Sequence, residues 1–218
     1  PMPENCEKLY PVTLWQYEID HSLIDCGMCI IVRCCDGSFF VIDSAHMYSV
    51  IDDERIVAFL TKVNGGRKPV VAGWFFSQCH EDHVAKFLDI VEYHRDEIDI
   101  EAVYYNFPPE YHADSKYWGE VNYAMTQKFE RIMREAKDIK KINLHSGQRF
   151  FVRNLEFVVI CTHEDVFPNS MRDFNNTSTA LMMTAEGSKV LFPGDAFAIG
   201  VDSHAAVYVF ICRTELEG

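Results

Sequence analysis

Short apolar runs alternate with amphipathic stretches along most of this 218-residue chain. Val12–Ile19, Met28–Arg33 and Ser38–Asp43 are rich in β-branched and aromatic residues, the composition of strands. The turn Cys35-Asp36-Gly37-Ser38 makes the last two a hairpin. Ile51, Ile56, Leu60 and Val63 place an apolar stripe on one helix face, which stops at Asn64-Gly65-Gly66. Pro69–Phe76 reads as a buried strand, because it is short, apolar and bounded by turn residues. Val84, Phe87, Leu88, Val91 and Ile98 predict a second helix, and Glu101–Tyr105 a strand ended by Pro108-Pro109. Residues 115–137 read as a long amphipathic helix through Trp118, Val121, Met125, Phe129, Ile132 and Ala136. After Ser146-Gly147 the texture becomes strand, turn, strand: Arg149–Arg153, Leu155–Cys161, Thr177–Thr184 and Lys189–Phe192, with Ala205–Cys212 as a further apolar strand. Interleaved helices and strands followed by hairpins predict a layered α/β domain spanning residues 1–218.

Composition narrows the picture. Hydrophobic residues make up 48% and charged residues 24%, a profile that excludes disorder for most of the chain. Lys+Arg is 20 against Asp+Glu 33, a formal charge of −13, and residues 1–109 hold 8 and 18 of these. That balance argues against a duplex nucleic-acid surface, which works by neutralising phosphates. No run approaches the ~20 apolar residues of a membrane span. Eight cysteines without a leader pattern at the N-terminus read as reduced thiols, and the compartment as cytoplasmic. Cys26, Cys29, Cys34 and Cys35 fall on one hairpin and read as small core residues rather than a zinc knuckle.

The chemistry concentrates in Ser77-Gln78-Cys79-His80-Glu81-Asp82-His83, after the strand that ends at Phe76 and before the helix that starts near Val84. Side chains at the carboxyl end of a buried strand converge in a crevice, where open α/β sheets bind ligands. Two imidazoles and two carboxylates within four residues are a donor set for Zn²⁺, Fe or Mn²⁺. Acids alone would only favour a helix N-terminus; two flanking histidines need a different reason. His163 after one strand and Gly194-Asp195 after another place further ligand-type residues at the same kind of position. Cys79 either points away from this site or adds a thiolate. His21, His46, His94, His112 and His145 have no ligand spacing and read as surface residues.

These motifs together resemble the metallo-β-lactamase-fold hydrolases: a strand, then H-x-[HED]-x-D-H, a mid-chain His, and a strand ending in Gly-Asp. Phe39-Phe40-Val41-Ile42-Asp43-Ser44 is similar to that family's first hairpin, whose Asp closes the strand below the site. Asn175–Leu181 followed by Val190–Asp195 resembles the branch containing the hydrolase domain of the bacterial DNA-uptake channel. The resemblance covers roughly residues 12–200. It implies a four-layer αββα sandwich, short at its C-terminal end because only 23 residues follow Asp195. It implies one or two zinc ions, with Mn or Fe as alternatives. His80 and His163 would serve the first metal, Asp82 and His83 the second, and Asp195 both. It also implies a metal-bound hydroxide attacking a phosphodiester or other small ester, with Asp82 orienting the water. Two departures stand against this. Gln78 falls where the family has its first motif histidine, and His204 comes too soon after Asp195 to match the last one. A degenerate member that keeps the fold as a binding or scaffold module is the alternative. A second sheet under-covered at its C-terminal end would favour a homodimer.

Overall fold

The computed structural model describes residues 9–23, 26–109, 115–165, 174–196 and 210–213. Strand β1 (Thr13–Gln16) pairs antiparallel with β2 (Ile30–Arg33), and β2 antiparallel with β3 (Phe39–Ile42). Helix α1 (Asp52–Val63) leads to β4 (Val70–Phe75). Helix α2 (Ala85–Tyr93) leads to the short β5 (Asp99–Ile100) and β6 (Ala102–Tyr105), and α3 (Ser115–Glu135) to β7 (Lys140–Asn143). The first sheet runs β1-β2-β3-β4-β6-β7 with β5 beside β4, and its pairings from β3 onward are parallel. Strands β8 (Arg149–Val152), β9 (Leu155–Cys161), β10 (Ala180–Ala185), β11 (Ser188–Phe192) and β12 (Phe210–Arg213) form a second, antiparallel sheet in the order β12-β11-β10-β9-β8.

Strand alternation builds the layers, since successive side chains point to opposite faces. On β3, Phe39 and Val41 pack toward the helices, among Ile56 and Leu60 of α1 and Phe87 of α2. Phe40 and Ile42 point the other way, into a cluster with Phe157, Leu181 and Phe192 of the second sheet. The rings of Phe40 and Phe157 stack at 4.3 Å between centroids. The described layers are therefore helix, sheet and sheet; no helix of an outer fourth layer is among the described residues. Among those residues no helix is long and apolar enough to cross a membrane.

Several expectations are corrected. Strand β7 carries no signal in the pattern, because Lys140-Lys141-Ile142-Asn143 is a polar edge strand with one half-buried residue. Helix α2 stops at Tyr93, and Ile98 is buried in the turn before β5 rather than on the helix. Residues 174–177 form a 3-10 turn, so the strand read from Thr177 begins at Ala180. His46 is buried, not a surface residue. Cys35 is disulfide-bonded, whereas Cys26, Cys29, Cys34, Cys79 and Cys161 are free thiols. The reading of every cysteine as a reduced thiol is therefore corrected at Cys35. Met125, Phe129 and Ile132 of the α3 stripe are buried as expected. Cys6, His112, His204, residues 205–209 and the side chains of Trp118 and Val121 lie outside what is described.

Candidate metal centre

The site grows from the carboxyl end of β4. The buried run ends at Phe75 and Phe76, and the chain then turns so that the His83 and Val84 amides both donate to the His80 carbonyl at 3.1 Å. Ser44, just after β3, pins this turn: its hydroxyl donates to the His83 carbonyl at 2.9 Å and accepts from Phe87 N at 3.0 Å. The second contact satisfies an orphan amide in the first turn of α2, where Val84 offers no side-chain cap.

Asp43 is the buried anchor. It accepts from the backbone amide and the hydroxyl of Ser77, each at 2.9 Å, and from His83 Nδ1 at 2.9 Å. Its positive φ of 54° is a strained backbone state that surrounding contacts must hold. With Nδ1 committed to Asp43, His83 turns Nε2 toward Asp195 at 3.1 Å and Asp82 at 3.6 Å. The side-chain donor atoms of His80, Asp82 and His83 all lie within 4.8 Å of one another. An imidazole aimed by a carboxylate behind it is how histidine ligands are commonly oriented.

Gln78 is fully buried at the centre. Its amide nitrogen lies 2.9 Å from His80 Nδ1, 3.1 Å from His83 Nε2 and 2.7 Å from Asp195 Oδ2. Its amide oxygen accepts from Ser178 Oγ at 2.9 Å, and the same hydroxyl accepts from Asp195 N at 3.2 Å. Three potential ligand atoms thus converge on one N–H₂ group, the electropositive end of a neutral side chain.

Burial opposes charge on His83, but Asp82, Asp43 and Asp195 outweigh it and raise the imidazole well above its ordinary value. Burial also works against the Asp195 carboxylate, yet His83, His80 and Gln78 hold its pKa below the usual range. His80 moves down, first through burial and then through repulsion from His83. Burial lifts Asp43, against the pull of His83 and Ser77.

The arrangement brings together His80, Asp82, His83 and Asp195. His163 is buried in the 3-10 turn His163–Asp165 after β9 and is not part of the three-residue cluster. Cys79 points away: it sits in the helix-side core, hydrogen-bonds Thr126, and burial pushes its thiol up to about 12. Sequence reasoning gave no role to Ser77 or Ser178. Ser178 lay in view within Asn175–Leu181, but a small hydroxyl in a turn carries no distinguishing signal.

Gly194 sets the position of Asp195. Its φ is +59°, and a Cβ there would lie 2.8 Å from Ser77 Cβ and 3.0 Å from Ser178 Cβ. Gly194→Ala is expected to destabilise the fold by ~1–3 kcal/mol, the scale of such backbone strain. A urea unfolding midpoint equal to that of the unmodified protein would contradict this.

No protein-family model matches the sequence, and no curated protein matches it. Solved structures do. The metallo-β-lactamase fold protein YhfI from Bacillus subtilis aligns with a TM-score of 0.53 at 11% identity, over 84% of this chain and 62% of that one. The chain has the metallo-β-lactamase fold. A metallo-β-lactamase HARLDQ motif mutant from Cronobacter sakazakii aligns with a TM-score of 0.46 at 12% identity, over 76% of this chain and 56% of that one. CmlA, a diiron β-hydroxylase from Streptomyces venezuelae, matches with TM-score 0.45 and 12% identity, over 79% of this chain and 28% of that one. The chain therefore spans under two thirds of the length of these structures. In the metallo-β-lactamase fold described here, two imidazoles and two carboxylates meet where β4 and β11 end.

Proposed function

We propose that this chain is a metal-dependent hydrolase of a small ester or phosphodiester. The supporting observation is the cluster of His80, Asp82 and His83, whose donor atoms lie within 4.8 Å of one another, with Asp195 against His83. Nitrogen and carboxylate donors without a thiolate suit Zn²⁺, Mn²⁺ or Fe. His80, Asp82, His83 and Asp195 would hold the ion. A bound ion would supply a more acidic water and stabilise charge on the attacked group. The protein's own residues do the rest. Asp43 and Ser77 fix the His83 ring. Asp82, 21% exposed where His83 is 2%, faces the cleft, orients water and accepts its proton.

A binding or scaffold role is the second reading. Gln78 favours it, because its amide nitrogen occupies the space between His80, His83 and Asp195, 2.7–3.1 Å from each.

The test is hydrolysis of 4-nitrophenyl acetate and bis(4-nitrophenyl) phosphate by protein stripped with a chelator and reloaded with Zn²⁺, Mn²⁺ or Fe²⁺. The expected result is turnover that depends on metal and falls ~100-fold or more in Asp82→Asn, the scale of a general acid–base group. No turnover with any ion would favour the binding module.

A further inference from the structure

The connection from β3 to α1 exposes Met47, Tyr48, Val50 and Ile51 at 37%, 52%, 75% and 40%. Scattered apolar residues on a surface need no explanation, but four within five positions do. The segment is not slack. Ala45 N donates to Met28 O, Met47 N to Glu81 O and Ser49 N to His46 O, at 3.0, 3.0 and 3.1 Å. Ala45 is held at φ 74°, and Ser49 Oγ accepts from Asp52 N at 3.1 Å to start α1. The fold thus fixes an apolar ridge instead of burying it.

The ridge borders the metal-binding cluster. Its anchor, Glu81 O, belongs to the residue between His80 and Asp82. A Cβ at Gly27, on the neighbouring connection, would lie 3.1 Å from His46 N and 3.3 Å from Asp82 O, so these two backbones meet there. Charge in the cleft selects further. Among the described residues the ion pairs of Asp43, Asp82 and Asp195 all run to His83, and none to a lysine or arginine. No lysine or arginine is therefore paired there to hold an anionic group, and a neutral ester needs none. A second copy of the chain is a poorer occupant. Four side chains offer on the order of a few hundred Å² of apolar surface, against ~800 Å² per partner in a stable interface.

We infer that Met47, Tyr48, Val50 and Ile51 form the specificity wall of the His80–Asp82–His83 centre, and that its substrate is an uncharged carboxylic ester with an apolar acyl chain. This rests on the hydrolase reading and narrows it. The test separates the two. The first arm is binding of hexanophenone, a ketone that cannot be hydrolysed, to the full chain by methyl NMR. The second is kcat/KM of metal-loaded protein across 4-nitrophenyl acetate, butyrate and hexanoate. The expected result is saturable shifts at the Met47, Val50 and Ile51 methyls, weakened tenfold or more in Tyr48→Ser/Val50→Ser and retained in Tyr48→Phe. Catalytic efficiency should rise about fourfold per added methylene, a rise lost in the double variant. Ketone binding without ester cleavage would remove the hydrolase reading and keep the apolar wall. Equal ketone affinity in both proteins, or a chain-length series indifferent to the double variant, would overturn the wall. So would a dimer in sedimentation that the double variant dissociates, because the ridge would then be an interface between copies.

Discussion

Asp43→Ala is expected to lower stability by ~3–5 kcal/mol, the scale of removing one partner from a buried charged pair. The carboxylate is fully buried and is the common acceptor for Ser77 N, Ser77 Oγ and His83 Nδ1. Alanine removes all three bonds and leaves His83 Nδ1 with only Ser77 Oγ beside it, at 3.1 Å. For a chain of this size ~1 kcal/mol corresponds to about 2–4 °C, so the melting temperature should fall by roughly 6–20 °C. Asp43→Asn keeps an acceptor for Ser77 and should lose less. Affinity for a divalent ion should also fall, by about 10- to 100-fold, because His83 loses the group that orients it. Thermal melts followed by circular dichroism and a metal titration check both effects. A variant that melts within 2 °C of the unmodified protein would show that Asp43 is not the anchor described.

Gln78→His is expected to act in the opposite direction on metal. The Gln78 amide nitrogen sits 2.7–3.1 Å from His80, His83 and Asp195, where a cation would draw on the same lone pairs. A neutral carboxamide is a weak ligand, whereas imidazole suits Zn²⁺. The substitution should raise zinc affinity by ~10- to 100-fold or more, since even partners behind the ligands control that much. It should also add a second ion to the stoichiometry. Isothermal titration with Zn²⁺ reads both. The position is enclosed, so the fold of the variant is checked first by its melting temperature. A folded variant with unchanged zinc binding would mean that Gln78 does not occupy a metal position.

The parts of this molecule legible in its sequence are those with strong local periodicity or a bounded apolar run. Helix α1 and strand β9 follow from patterns whose buried faces recur every three to four or every two residues, and β3 and β4 from short apolar runs bounded by turn residues. Strand β7 was invisible because an edge strand with polar side chains on both faces has no alternation to read. In the site, His80, Asp82 and His83 were legible because they are close in sequence, and their meeting depends on one turn. Asp195 was legible as a residue type after a strand. His163 shared that signal, yet the fold does not bring it into the tight cluster. What spacing could not show is the role of Gln78. It reads as a missing ligand in the sequence, and in the fold as a donor that fills the gap it leaves. The pairing of Ser178 with Gln78 joins residues 100 positions apart, and only the stacking of the two sheets brings them together.

The central claim is that His80, Asp82, His83 and Asp195 hold a metal ion. The most direct measurement is elemental analysis of the purified chain after equilibration with Zn²⁺ and gel filtration, beside His80→Ala and Asp195→Ala proteins that melt cooperatively. The account predicts about one ion per chain, from a set of three or four protein ligands, and a sharp loss in both variants. No ion in the unmodified chain, or equal content in all three proteins, would contradict it.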